Sequence, residues 1–149
     1  MLGIQGSGKT TWARENAGRL AAAIVASDDI RNELEAQGLD ATDRGDEVFA
    51  IFERRAAALL AAGRDVIADA THARRAWRAN LLAIGRAHGA PIVAVWLQTP
   101  LAVCRARNAR KPGGALWGER IVPDPVLVDM WRRFEPPGAD EFDDIWKIG

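Results

Sequence analysis

The pattern GxxxxGK[ST] occupies residues 3–10, which read Gly3-Ile4-Gln5-Gly6-Ser7-Gly8-Lys9-Thr10. The glycines let the backbone fold tightly, so that N–H groups at the start of the next helix point at phosphate oxygens. The lysine of such a loop reaches the β- and γ-phosphates, and the final hydroxyl ligates Mg2+. The pattern predicts that the chain binds ATP or GTP with Mg2+. The predicted contacts lie within residues 3–11, namely Gly3, Gly6, Ser7, Gly8, Lys9, Thr10 and Thr11.

Two predicted strands end in acidic residues. Asp28 follows the apolar segment 24–26, where a carboxylate can accept the proton of an incoming hydroxyl, and Arg31 shares its helix face and can hold an anionic group. The alternative is that Asp28 and Asp29 only cap a helix. Asp69 ends the segment 65–69 and can hold Mg2+ through water, or can simply cap the strand.

A third segment, residues 105–111, is basic and runs into a loop rich in glycine and proline. Phosphoryl transfer spreads negative charge over the phosphate oxygens, and a mobile arginine can close over that charge and exclude water. Arg107 and Arg110 are the candidates for this role. The alternative is that they only complement the negative end of the preceding helix.

The surrounding elements alternate in the order typical of a parallel sheet with helices on both faces. We expect a helix from the phosphate loop to about residue 20 and a strand at 24–26. Helices are then expected at 28–37, 46–62, 74–88 and 124–134, and a further helix is expected to begin at Thr99-Pro100. Strands are expected at 65–69, 92–97 and 145–148, and residues 111–123 read as a loop. The predicted fold is an α/β three-layer sandwich of the P-loop NTPase type, a single domain over residues 1–149.

This fold predicts a five-stranded parallel sheet whose first strand is truncated, because only Met1 and Leu2 precede Gly3. Either the chain is a fragment or apolar residues belong upstream. A longer chain is expected to melt at a higher temperature, and equal melting temperatures would argue against this expectation. A small lid is expected at about residues 105–122.

The net charge is zero, but the charges are unevenly distributed. Residues 70–118 contain no acid and eight bases, whereas each flank has a net charge of −4. This block is either a phosphate-binding surface or a set of solvated helix faces. The chain contains no apolar run of the ~18 residues that a membrane span needs and no signal segment, so we expect a cytoplasmic protein without a membrane partner.

Five segments together resemble the 5′-kinase domain of phage polynucleotide kinase and its relatives among the zeta-toxin-like P-loop kinases. The resemblance spans nearly the whole chain and lies in residues 6–14, 27–31, 69–71, 107–110 and 134–137. The Asp28-Asp29-Ile30-Arg31 block is its most specific part. Thr71-His72 stands where these relatives often have Thr-Asn.

The resemblance implies an ATP- and Mg2+-dependent kinase acting on a hydroxyl acceptor, with the 5′ end of a nucleic acid as the leading candidate. Lys9 would contact the transferred phosphate, Asp28 would be the general base, and Arg31 and Thr71 would bind the acceptor. The lid arginine falls on Arg110 or on Lys111, depending on register, and Arg110 is favoured because a guanidinium binds phosphate bidentately. Trp117 is either a stacking residue or a hydrophobic anchor. The alternatives are a kinase for a sugar, a nucleotide sugar or an antibiotic, and an ATP-binding module without transfer activity.

Overall fold

The computed structural model describes all residues from Met1 to Gly149. Its elements follow the order α1 (Lys9–Ala17), β1 (Ala23–Ala26), α2 (Ser27–Ala36), α3 (Gly45–Ala61), β2 (Val66–Asp69), α4 (Arg75–Ala87), β3 (Val93–Leu97), α5 (Leu101–Ala109), a 3-10 turn (Trp117–Glu119), α6 (Asp124–Arg132) and β4 (Asp144–Ile148). The predicted alternation of helices and strands is confirmed. Helix α1 ends three residues before the predicted boundary, where Gly18 follows it.

All strand pairs are parallel. Strand β1 pairs with β2, and β3 pairs with β4, so the strands form two sheets of two strands each. The single five-stranded sheet predicted above is not confirmed. The reason is the short segment before the phosphate loop, which makes only one bridge, between Leu2 and Trp96, in place of a complete strand.

Met1 and Leu2 nevertheless lie between the two sheets. The Met1 amino group donates a hydrogen bond to the Ala68 carbonyl of β2 at 3.0 Å. Leu2 bonds to β3 in both directions, donating to the Val95 carbonyl at 2.8 Å and accepting from the Leu97 amide at 2.9 Å. The phosphate loop that starts at Gly3 is therefore anchored at the carboxyl ends of β2 and β3.

Helices cover both faces of the strands, as predicted. Alternate residues of β2 face opposite sides: Ile67 joins an apolar cluster with Ala13 of α1, whereas Val66 and Ala68 contact a cluster that contains Phe52 of α3. Strand β3 alternates in the same way, with Ala94 packing near Leu82 of α4. This arrangement fixes the starts of α1 and α2 at one edge of the strands, where the site residues lie.

Candidate active site

The phosphate loop has backbone angles that favour glycine. Gly6 and Gly8 have φ values of 82° and 101°. A Cβ at Gly6 would lie 2.5 Å from the Cys104 carbonyl oxygen, so a side chain there would displace the loop from α5. The Thr99 hydroxyl donates to the Ser7 carbonyl at 2.8 Å and ties the loop to the end of β3. The buried Ser7 hydroxyl has no hydrogen-bond partner of its own.

Lys9 and Thr10 occupy the start of α1. The Lys9 ammonium is buried and donates to the carbonyls of Gly3 and Ile4 at 2.9 and 3.0 Å. Burial lowers the pKa of Lys9, and the negative charges of Asp69 and Asp28 oppose this shift. The lysine is thus held within the loop that it would use to bind phosphate.

The Thr10 hydroxyl donates to Asp69 Oδ2 at 2.7 Å, which brings together the two residues predicted to hold a metal. The donor set is two oxygen atoms, and no group of three or more His, Cys, Asp or Glu residues surrounds them. Magnesium is usually held by one or two protein oxygens together with water and substrate phosphate oxygens. The hydroxyl and carboxylate therefore fit a nucleotide-bound Mg2+ better than an ion bound by protein alone.

These residues line a cleft of about 500 Å3. It contains most of the predicted site residues, namely Gly6, Gly8, Lys9, Thr10, Thr11, Asp28, Asp69, Thr71 and Arg107. Gly3 and Ser7, which belong to the loop, are buried and do not line the cleft.

The structure places Lys111 and not Arg110 in the cleft. Helix α5 ends at Ala109, and Arg110 is an exposed residue directly after it. The Lys111 ammonium donates to the Arg120 carbonyl at 3.2 Å, and burial lowers its pKa, with the negative charge of Asp28 opposing. Arg110 is the better phosphate ligand on chemical grounds, but the turn after α5 places Lys111, and not Arg110, in the cleft with the phosphate loop.

Asp28 lies among charges from four elements. Burial raises the pKa of its carboxyl group, while the positive charges of Arg31 and Lys111 oppose this shift. Asp69 raises the pKa further and Lys9 lowers it, both with smaller effects. Arg31 itself lies 3.9 Å from Asp28 Oδ1 and does not line the cleft. A carboxylate with a raised pKa that faces a phosphate loop is suited to accepting a proton.

Arg107 reaches back to the phosphate loop from α5. Its Nη1 lies 3.4 Å from the Gly6 carbonyl oxygen and 3.3 Å from that of Ser7, and donates to both. The segment after α5 is held by Asn108, whose side-chain amide exchanges two hydrogen bonds with the Val122 backbone at 2.7 and 3.0 Å. We call residues 110–123 the lid segment. It covers the C-terminal part of the predicted lid, and the N-terminal part belongs to α5.

Several cleft residues were not predicted from the sequence. Arg14 and Asn32 lie one helical turn after Thr10 and Asp28, so helical spacing from the predicted residues could have identified them. Leu116, Gly118 and Glu119 belong to the lid segment, which has no periodic pattern from which their direction could be inferred.

The basic block at residues 70–118 is only partly paired with the acidic C-terminal flank. Three of its eight bases form salt bridges with that flank: Arg75 with Asp140 and Glu141, Arg78 with Glu141, and Arg105 with Asp124. Two more, Arg107 and Lys111, line the cleft. The other three, Arg74, Arg86 and Arg110, form no salt bridge, so the flank neutralises only part of the block.

A phosphate loop at the edge of parallel strands, followed by a helix and covered by helices on both faces, defines a P-loop NTPase fold. Residues 1–137 match the AAA_33 family, described as an AAA domain, and the chain belongs to this family of P-loop kinase-like, ATP-binding domains. No curated protein matches the chain. No helix has both the length and the apolar character that crossing a membrane requires.

Three solved structures are among those that share the fold. Kti12 of Chaetomium thermophilum, in complex with ADP-AlF3, aligns with a TM-score of 0.74 and 17% identity over 99% of this chain and 86% of that one. A sugar kinase from Janibacter sp. HTCC2649 aligns at 0.64 and 22% identity over 98% and 82%. A gluconokinase from Sinorhizobium meliloti 1021 aligns at 0.63 and 17% identity over 99% and 78%. At these identities the likeness establishes the fold alone.

Proposed function

We propose that this protein is an ATP- and Mg2+-dependent kinase that transfers the γ-phosphate to a hydroxyl acceptor, with Asp28 as the general base. The observation that carries this proposal is the position of Asp28, a carboxylate of raised pKa in the same cleft as Lys9, Thr10 and Asp69. A binding module without transfer activity has no need of a basic carboxylate opposite its phosphate loop.

In the proposed reaction the acceptor hydroxyl gives its proton to the Asp28 carboxylate, and its oxygen forms a bond to the γ-phosphorus. The bond between that phosphorus and the β–γ bridging oxygen breaks, and ADP leaves. The positive charges of Lys9 and Arg107 stabilise the negative charge on the phosphate oxygens. Lys111 lines the same cleft beside them. Thr10 and Asp69 would hold Mg2+, which when bound neutralises charge on the β- and γ-phosphates.

The leading acceptor is the 5′-hydroxyl of a polynucleotide. The support is the motif resemblance, above all the Asp28 to Arg31 block, together with the position of Arg31 beside Asp28. Arg31 would bind a phosphate of the acceptor next to the reacting hydroxyl. Thr71, which lines the cleft, would contribute a polar contact to the acceptor.

One observation favours a second candidate, a small hydroxylated acceptor such as a sugar. Because Arg75, Arg78 and Arg105 are paired with acids, the basic block offers less free positive charge outside the cleft to a nucleic-acid backbone than its sequence indicates. Two of the solved structures with this fold are described as a sugar kinase and a gluconokinase.

The test is transfer of labelled γ-phosphate from ATP to 5′-hydroxyl oligonucleotides, to a pool of small hydroxylated metabolites, and to water, with and without a chelator. Label on the oligonucleotide that falls steeply with added salt and disappears with the chelator supports the leading candidate. Label only in the metabolite pool moves the assignment to the second. Label in neither acceptor would refute the kinase proposal.

The charges around Asp28 also predict a pH dependence. The base must be ionised, so kcat/KM is expected to fall as the pH falls through the raised pKa of Asp28. Lys111→Gln removes a positive charge that lowers this pKa, so the acid limb of the profile is expected to move to higher pH. Arg110→Gln is the matched control, because Arg110 lies outside the cleft and its loss should leave the limb in place. An acid limb that moves in Arg110→Gln and stays in place in Lys111→Gln would contradict the proposed effect of Lys111 on the pKa of Asp28.

A further inference from the structure

Trp117 attaches the lid segment to α2. Its backbone amide donates to Asn32 Oδ1 and its indole Nε1 donates to Glu35 Oε1, both at 2.8 Å. The Arg120 guanidinium donates to Glu35 Oε2 at 2.6 Å. These contacts join a turn of the lid segment to the helix that carries Asp28.

Two guanidinium groups lie over the indole ring of Trp117. The Cζ atom of Arg31 is 4.9 Å from the ring centroid and that of Arg120 is 4.2 Å from it. Both distances are within the range of cation–π contact. Glu35 forms a salt bridge with Arg120 at 2.6 Å, whereas the acid nearest to Arg31 is Asp28 at 3.9 Å. The charge of Arg120 is therefore more closely paired within the protein than that of Arg31.

The Arg31 side chain makes no hydrogen bond with any other residue of the chain. Its only charged contact is Asp28 at 3.9 Å, its Nε is buried without a partner, and its side chain is 18% exposed. An arginine side chain has about 2 kcal/mol of rotamer entropy, so an unbonded guanidinium beside the cleft would sample many positions. Contact with the Trp117 ring restricts the guanidinium, whose two Nη groups have no hydrogen-bond partner within the chain.

We propose that Trp117 is a positioning residue that holds the Arg31 guanidinium beside Asp28, ready to bind the anionic group of the acceptor. This role rests on the proposed kinase function, in which Arg31 binds that group. It couples the lid segment to acceptor binding: when the turn at residues 117–119 leaves α2, Arg31 loses its orientation. Glu35 supports this arrangement, because it accepts a hydrogen bond from the Trp117 indole and forms a salt bridge with Arg120.

The first experiment compares Trp117→Ala, Trp117→Phe, Arg31→Ala and the double variant Trp117→Ala/Arg31→Ala, using a 5′-hydroxyl oligonucleotide as acceptor. Trp117→Ala is expected to raise the acceptor KM about tenfold, with the KM for ATP unchanged, and Trp117→Phe, which keeps a ring, is expected to recover most of that loss. In the Arg31→Ala background, Trp117→Ala should have no further effect. Additive effects of the two substitutions, or equal losses for ATP and acceptor, would overturn the positioning role.

Trp77→Ala is the matched control. Trp77 also lies against a guanidinium, with Arg74 Cζ 5.2 Å from its ring centroid, but it is 60% exposed on α4 and does not line the cleft. Its removal is expected to leave both KM values unchanged. An equal rise in the acceptor KM would show that loss of any stacked tryptophan has this effect, and it would refute the specific role of Trp117.

A second measurement does not depend on activity. The 1H–15N signal of Arg31 Nε, assigned by its loss in Arg31→Lys, is expected at a ring-shifted position in the wild-type protein and at an ordinary arginine position in Trp117→Ala. A signal that stays in place would overturn the proposal whatever the acceptor is. If the signal moves but no acceptor is phosphorylated, the positioning contact stands and the proposed kinase function fails.

Discussion

Asp28→Asn is expected to lower kcat for phosphoryl transfer by about 10²–10⁴-fold, the usual contribution of a general base. The amide keeps the size and hydrogen-bonding reach of the side chain but cannot accept the acceptor's proton. The KM for ATP is expected to change little, because Lys9, Thr10 and the loop backbone are the proposed ATP contacts. Steady-state kinetics at saturating ATP, on the acceptor identified by the labelling experiment, measure this effect.

The control is Asp29→Asn, which removes an equal charge from the adjacent position in the first turn of α2. Asp29 also lines the cleft, so the two variants alter the helix start and the electrostatic potential of the cleft similarly. Only Asp28 is proposed to take the proton, so Asp29→Asn is expected to retain most of its activity. Equal losses for both variants would indicate that negative charge at the start of α2, and not base catalysis, supports the reaction.

The predicted site residues that the structure brings into the cleft are those whose positions follow from local spacing. The phosphate loop is continuous in sequence, and Asp28, Asp69 and Thr71 follow predicted strands, so the rule that parallel strands end at one edge brings them together. Lys111 shows where local reasoning fails. Its direction depends on where α5 ends, and helix ends are uncertain by one or two residues, which is enough to exchange Lys111 for Arg110.

Contacts between residues far apart in the sequence could not be predicted either. The sequence shows a basic block and an acidic flank, but it does not show that Arg78 and Glu141, 63 positions apart, meet. The same holds for Trp117, whose partner Glu35 lies 82 positions earlier in the chain. Such pairs form only after the fold brings their elements together, so no periodicity or motif reports them. The five-stranded sheet with a truncated first strand is not confirmed, because the residues before Gly3 make a single bridge, between Leu2 and Trp96.

The side chain of Arg78 is the largest fully buried one in the protein. Its guanidinium donates two hydrogen bonds to the Glu141 carboxylate, both at 2.7 Å. It donates three more, to the carbonyls of His72, Glu135 and Pro136, at 3.0–3.2 Å. All five donors of the guanidinium are thus used, and together they join α4 to the segment that leads into β4.

Arg78→Ala is expected to lower the free energy of unfolding by about 3–5 kcal/mol, because it leaves the buried Glu141 carboxylate without the two hydrogen bonds of its main partner. Urea denaturation measures this loss. Arg75→Ala, one turn earlier on α4, is the control: Arg75 is half exposed and lies 3.7 Å from Glu141, and its removal is expected to cost no more than about 1 kcal/mol. Equal losses for the two variants would refute the special role of the buried pair.

The same pair predicts how the loss depends on pH. Arg78 lowers the pKa of Glu141, so the pair stabilises the fold fully above the carboxyl group's ordinary pKa and loses this effect as the pH falls through the lowered value. The difference between wild type and Arg78→Ala should therefore shrink in acid. Replacing both partners with apolar residues, as in Arg78→Met/Glu141→Leu, removes the unpaired charge and is expected to recover much of the lost stability. A double variant as unstable as Arg78→Ala would instead assign the loss to the three carbonyl groups that Arg78 binds.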